Sequence, residues 1–351
     1  MKIWVKNFQI TGILVLTVIL TMILFNSTAK AQNKPLKVIL ETDIGNDVDD
    51  AMALDMLYKY ADEKKVELLG VSTNKNSIYS VKYIDIMNAW YGYSSVPIGT
   101  VVNGVNSEGD PANNYTKTVC EYKINNKLVF KSRIKDYNHV MESTRLYRKI
   151  LSAQPDSSVI IISIGFSTNL SRLLNTQADE FSSLPGKELV AKKVKFLCMM
   201  AGNFNKVPAL EYNVMKDIPA AQKVFNEWPT AIVVSPYAVG DSILFPGSVI
   251  ENDFHWTASD PLVIGYESYM PMPYDRQTWD NTAVLYAVEK DKNYFTISKP
   301  GVITVDSAGY TNFTETADGN RFFLRVNEEQ KKLILSRFID LITTRPKYRA
   351  H

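Results

Sequence analysis

The sequence predicts an α/β protein with a mostly parallel central sheet and helices on both faces. Two observations carry this prediction. Short runs rich in Val and Ile alternate with segments of helical periodicity, the pattern of successive βαβ units. Most of these runs are apolar nearly throughout, as strands covered on both faces must be, and do not alternate apolar with polar residues. Apolar residues make up 46% of the 351 positions, ample for the core such a sheet needs.

Taken in order, residues 38–41, 66–73, 96–100, 159–164, 194–200 and 231–235 read as strands. Between them, residues 51–60 place Ala51, Leu54, Leu57 and Tyr58 on one helical face. Segments 81–91, 142–152, 168–174 and 219–226 follow the same logic, with a late strand at 321–326 and a closing amphipathic helix at 328–343. No repeat, low-complexity tract or linker interrupts the series, so residues 32–351 read as one domain. The least regular stretch is 102–137, rich in Asn, Gly and Asp. A long polar excursion of this kind is a functional lid or an insertion. Tyr115 and Tyr122 give it aromatic contacts to make, which favours the lid.

The N-terminus has Lys2 and Lys6, an apolar run from Ile10 to Phe25, and the small-x-small sequence Ala29-Lys30-Ala31. That is a secretory signal peptide over 1–31, and it predicts an exported protein, periplasmic or secreted, with no stable membrane association after cleavage. The apolar run is short for a span of about 20 residues. Loss of the three leader lysines takes the formal charge from +2 to −1, which excludes an electrostatic case for nucleic-acid binding. Cys120 and Cys198 form no zinc-type cluster.

The chemistry concentrates in Glu41-Thr42-Asp43-Ile44-Gly45-Asn46-Asp47-Val48-Asp49-Asp50-Ala51. An apolar strand delivers this loop and a helix follows it, so it lies where open parallel sheets bind ligands. Asp49 and Asp50 would suit helix capping, but four aspartates in eight residues exceed what capping needs. Left alone they repel one another, and a bound cation resolves the repulsion. Carboxylate oxygens suit calcium or magnesium, not zinc.

This loop resembles the signature of the inosine–uridine nucleoside hydrolase family, Asp-x-Asp-x-Gly-x-Asp-Asp-Ala. Glu41 stands in place of the first Asp, and the loop is two residues longer between Gly45 and Asp49. Three further segments, in the family's order, are similar. They are Ile164-Gly165-Phe166-Ser167-Thr168-Asn169, then Ala209-Leu210-Glu211-Tyr212-Asn213 with Asp217 and Ala220-Ala221, then Trp279-Asp280-Asn281-Thr282-Ala283-Val284. The resemblance runs from Lys37 to the final helix. It implies the α/β fold, hydrolysis of the N-glycosidic bond of ribonucleosides, and Ca2+ as cofactor. Asp43, Asp50 and Asp280 would hold the ion with the main-chain carbonyl of Ile164. Asp49 would be the general base, or Asp47 if the insertion shifts the register. Asn205, Glu211 and Asn213 would hold ribose hydroxyls, together with Asn74 or Asn76.

One departure bears on the leaving group. The family position before the third carboxylate is often a His, and here it is Trp279, which cannot act as an acid at neutral pH but can stack on a base. The partner implied is a small ribonucleoside-like molecule, and a homo-oligomer is compatible with the sequence. Two other readings stay open. One is a calcium-dependent nucleoside- or glycan-binding protein without turnover. The other is a haloacid-dehalogenase-type phosphatase, against which Glu41 stands in the nucleophile's place.

Overall fold

The computed structural model describes residues 34–105 and 114–347. The leader over 1–31 and the centre of the polar stretch 102–137 lie outside the described residues. Among the described residues no helix is long and apolar enough to cross a membrane.

From Leu36 onward the chain forms one unit around an eleven-stranded sheet. Its strands are β1 (Leu36–Thr42), β2 (Val66–Thr73), β3 (Ile98–Thr100), β4 (Met141–Glu142), β5 (Val159–Ile164), β6 (Val194–Met200), β7 (Ala231–Ser235), β8 (Thr296–Ile297), β9 (Gly301–Val305), β10 (Thr311–Glu315) and β11 (Arg321–Arg325). They lie in the order β10-β9-β11-β7-β6-β5-β1-β2-β3-β4, with β8 paired to β11. Every pairing from β4 across to β11 is parallel, and β8, β9 and β10 pair antiparallel. The chain winds from β1 towards β4 in one direction and from β5 towards β7 in the other. The reversal between β1 and β5 is a topological switch point, where parallel sheets open a crevice at their carboxyl ends.

The helices are α1 (Asp49–Asp62), α2 (Ile78–Trp90), α3 (Tyr115–Cys120), α4 (Ser143–Ser152), α5 (Thr168–Asn175), α6 (Gly186–Lys193), α7 (Tyr212–Lys216), α8 (Ile218–Glu227), α9 (Tyr237–Asp241), α10 (Gly247–Asn252), α11 (Pro261–Tyr269), α12 (Trp279–Glu289) and α13 (Glu328–Thr343). Period-two geometry sends Val38 and Leu40 of β1 into one core and Ile39 into the other. Helices α1–α3 and α9–α13 build the first core, and α4–α8 the second. The predicted parallel sheet with helices on both faces is therefore the observed one.

Two details differ from expectation. The strand read at 96–100 begins at Ile98, because Pro97 has no N–H to give a ladder. The β9–β10 hairpin was not anticipated. β9 buries only alternate residues, with Val302 42% exposed, and β10 buries only Thr311, so the apolar runs that mark the parallel strands are missing.

Candidate active site

The acidic loop leaves the end of β1 at the switch point and is pinned from several sides. Gly45 adopts φ +108°, where a Cβ would come within 3.0 Å of Thr116 Oγ1. Its N–H donates to the Tyr115 hydroxyl at 3.2 Å, and that hydroxyl donates to the Asp47 carbonyl at 3.1 Å. Lys75 Nζ donates to the Gly45 carbonyl at 3.0 Å, and the Ser80 hydroxyl to the Ile44 carbonyl. Tyr115 is fully buried, with its ring edge-on to Tyr83 and Tyr269. The described part of 102–137 thus supplies α3 as a buttress for the loop.

A cavity of about 460 Å³ opens above the loop. On the side of the acidic loop it is lined by Asp43, Asp47, Asp49 and Asp50, with Asp280 from the start of α12 and Ile164 from the end of β5. Glu211, Asn213 and Trp279 line it too. These residues come from segments far apart in sequence, all singled out above. Three other candidates do not line the cavity. Asn74 is buried behind it, its Oδ1 packed near Gly165 and Asp43. Asn76 and Asn205 are exposed, their N–H groups donating to the Val105 carbonyl and to Asn203 Oδ1.

Electrostatics make the aspartate cluster unstable as a set of bare anions. Burial raises the pKa of Asp43, Asp49, Asp50 and Asp280, and repulsion among the loop's carboxylates raises each further. Asn46 and the buried Lys75 oppose this at Asp43, and Arg276 opposes it at Asp49. The Thr42 hydroxyl donates to Asp50 and Asn46 Nδ2 to Asp43. Among the described residues no group of three or more acidic, His or Cys side chains encloses an ion ready-made. The carboxylates nevertheless lie near enough to raise one another's pKa. Carboxylate oxygens grouped in this way are the kind of donor a hard divalent cation takes.

Two aspartates of the loop have different surroundings. Asp49 is buried. Its Oδ2 accepts from the Asp280 N–H at 3.0 Å and its Oδ1 has no hydrogen-bond partner. Asp47 is 41% exposed at its side chain, and its Oδ1 accepts from Arg276 Nη2 at 2.7 Å and from the Tyr269 hydroxyl. Arg276 itself lies 5.0 Å from the ring centres of both Tyr269 and Trp279. Glu211 accepts from the N–H groups of Gly202, Asn213 and Val214 at 2.8–3.1 Å. Asn213 Nδ2 donates to the Met200 carbonyl at 3.2 Å.

Sequence reading missed Lys75, Arg276 and Tyr237. Lys75 carried a signal, since a lysine directly after an apolar strand, beside Asn74 and Asn76, falls at the binding edge of the sheet. Arg276 and Tyr237 carried none, because their positions depend on how α9 and α12 meet.

The switch-point crevice and the carboxylates that line it define an α/β protein with a polar cavity sized for a small molecule. Comparison with known proteins is narrower. The model of the family described as inosine-uridine preferring nucleoside hydrolase matches residues 38–334. The chain belongs to this family, whose activity is that of an N-glycosyl hydrolase. No curated protein matches it. Among solved structures, a plant nucleoside hydrolase is 17% identical, with 89% of this chain and 100% of that one covered and a TM-score of 0.67. The inosine-uridine preferring nucleoside hydrolase of Bacillus anthracis is 18% identical, with 87% and 99% covered and a TM-score of 0.61. The purine-preferring ribonucleoside hydrolase of Gardnerella vaginalis is 15% identical, with 88% and 99% covered and a TM-score of 0.63. At such identities the likeness concerns the fold.

Proposed function

We propose that the protein is an exported, calcium-dependent hydrolase that cleaves the N-glycosidic bond of ribonucleosides to ribose and free base. The observation that carries this reading is Asp49, a buried carboxylate facing the cavity with one oxygen pinned by the Asp280 N–H and the other unpartnered. A carboxylate so held is oriented to take a proton from water. Asp47 is already engaged by Arg276 and Tyr269, which favours Asp49 as the base. The sequence leader over 1–31 supports export.

Asp43, Asp50, Asp280 and the Ile164 carbonyl are the groups that would hold calcium. Bound there, the ion would supply charge neutralisation and a template for sugar hydroxyls and water. Glu211 and Asn213 face the sugar. Glu211 is fixed as an acceptor by three N–H groups, so it binds a hydroxyl and adds negative charge where ribosyl cation character develops.

The test is release of free ribose from a panel of ribosides, with calcium and with a chelator. If vicinal hydroxyls are gripped, 2′-deoxyribosides lose on the order of 10²–10⁴ in kcat/KM. Tight riboside binding with no sugar release would instead support a binding protein. Phosphate release from nucleotides would support a phosphatase.

A further inference from the structure

We propose that the short hairpin between α3 and β4 docks the protein reversibly on a bilayer that carries anionic phospholipid. The inference is independent of the reaction assigned to the cavity. The hairpin pairs Lys123–Ile124 with Lys127–Leu128 antiparallel, Lys123 opposite Leu128 and Ile124 opposite Lys127. Its turn residues, Asn125 and Asn126, take φ +51° and +61°, a tight turn whose twist matches that of a two-stranded ribbon. Residues directly opposite each other share a face of the ribbon. Each face therefore presents one aliphatic side chain beside one lysine.

The base of the hairpin belongs to the fold and its tip does not. Tyr122 and Val129 pack against the first core, and Phe130 is buried edge-on to Trp90 of α2. Just beyond, Asp85 of α2 accepts from the Ser132 and Tyr137 hydroxyls and from the Arg133 and Ile134 N–H groups. The ribbon is thus anchored where it leaves the molecule. Ile124 and Leu128, in contrast, are 48% and 54% exposed.

Charge singles out the same segment. Residues 117–135 hold six lysines or arginines and one glutamate, in a chain whose net charge is +2. All six cations, Lys117, Lys123, Lys127, Lys131, Arg133 and Lys135, are exposed. The acids nearest to them in sequence are engaged: Glu121 accepts from the Tyr79 hydroxyl at 3.0 Å, and Asp136 pairs with His139 at 2.8 Å. Clustered cations are drawn to anionic headgroups. Aliphatic side chains among them sink to the acyl boundary while the lysine stems reach back to the headgroups. Two aliphatic side chains are too few for a specific protein interface, which buries roughly 800 Å² per partner. A soluble polyanion would take the lysines and leave Ile124 and Leu128 in water. A bilayer surface takes both, and such adsorption needs no spanning segment.

The chain without its leader, which keeps the whole folded unit, is sedimented with vesicles of phosphatidylcholine alone and of phosphatidylcholine mixed with phosphatidylglycerol. The expected result is binding to the mixed vesicles at low salt, lost at high salt, and none to phosphatidylcholine alone. Lys123→Gln and Lys127→Gln should each weaken binding about fivefold. Ile124→Ser combined with Leu128→Ser should weaken it about tenfold or more at an unchanged Tm. Leu128→Trp should emit at shorter wavelength on the mixed vesicles and be quenched by brominated acyl chains. No binding to the mixed vesicles, or equal binding to both kinds, overturns the inference. Full binding by the double serine variant, or no quenching in Leu128→Trp, shows that charge alone acts, as on an anionic polysaccharide, and overturns it as well. If the double serine variant does not fold, the quenching result decides.

Discussion

At the residue scale, Asp47 and Asp49, two positions apart in the acidic loop, differ in what holds them. Asp49→Asn keeps the shape and loses the proton acceptor. It should lower kcat by about 10²–10⁴ while calcium binding, followed by calorimetry, persists. Asp43→Ala and Asp50→Ala should each abolish that binding, and unchanged heats in both would contradict the ligand assignment. The loop's importance was legible in the sequence because four acids at the end of an apolar strand have no structural use. The division of labour was not legible. It depends on Arg276 and Tyr269 reaching Asp47 from more than two hundred residues away, a contact no local pattern encodes.

At the scale of elements, the parallel strands were legible because burial on both faces leaves a nearly unbroken apolar run. The β9–β10 hairpin was hidden because β9 alternates and β10 is mostly exposed, although its turn had a signal. Asp306 Oδ1 accepts from the Ala308 and Tyr310 N–H groups, and Gly309 takes φ +95°. The tie between α4 and the loop joining α5 to α6 was equally invisible. Arg148 on α4 is buried and donates to both oxygens of Asp179 at 2.6 and 2.9 Å, to Thr176 Oγ1, and to the Ser182 and Leu184 carbonyls. The guanidinium holds the Asp179 carboxyl down to about 2. Asp179→Ala leaves a buried cation underpaired and should cost about 3 kcal/mol in denaturant unfolding. Activity at saturating substrate should be untouched, since neither residue lines the cavity. The pair's contribution is present above the ordinary aspartate range and lost as pH falls through about 2.

At the scale of the whole molecule, the calcium site proposed at the aspartate cluster would couple folding to the ion. Without the ion, Asp43 and Asp49 are pushed from the usual carboxylate range up to about 7. The folded chain therefore holds protons that the unfolded chain releases. The stability this gives is present below about 4 and is lost as pH rises towards 7. Calcium should reverse that loss, because it binds the folded form and replaces those protons. At a hundred times its Kd it should add about 2.7 kcal/mol, read as a rise in Tm that is larger at pH 7 than at pH 5. A calcium-induced shift of equal size at both pH values would contradict the coupling.

The most direct test of the central claim is ribose release from the riboside panel at pH 7 by the wild-type chain and by Asp49→Asn, each with calcium. The account predicts sugar release by the wild type that a chelator stops and added calcium restores, and at least a hundredfold loss, roughly, in Asp49→Asn. Sugar release that survives both the chelator and the substitution would show that neither the aspartate cluster nor Asp49 performs the chemistry.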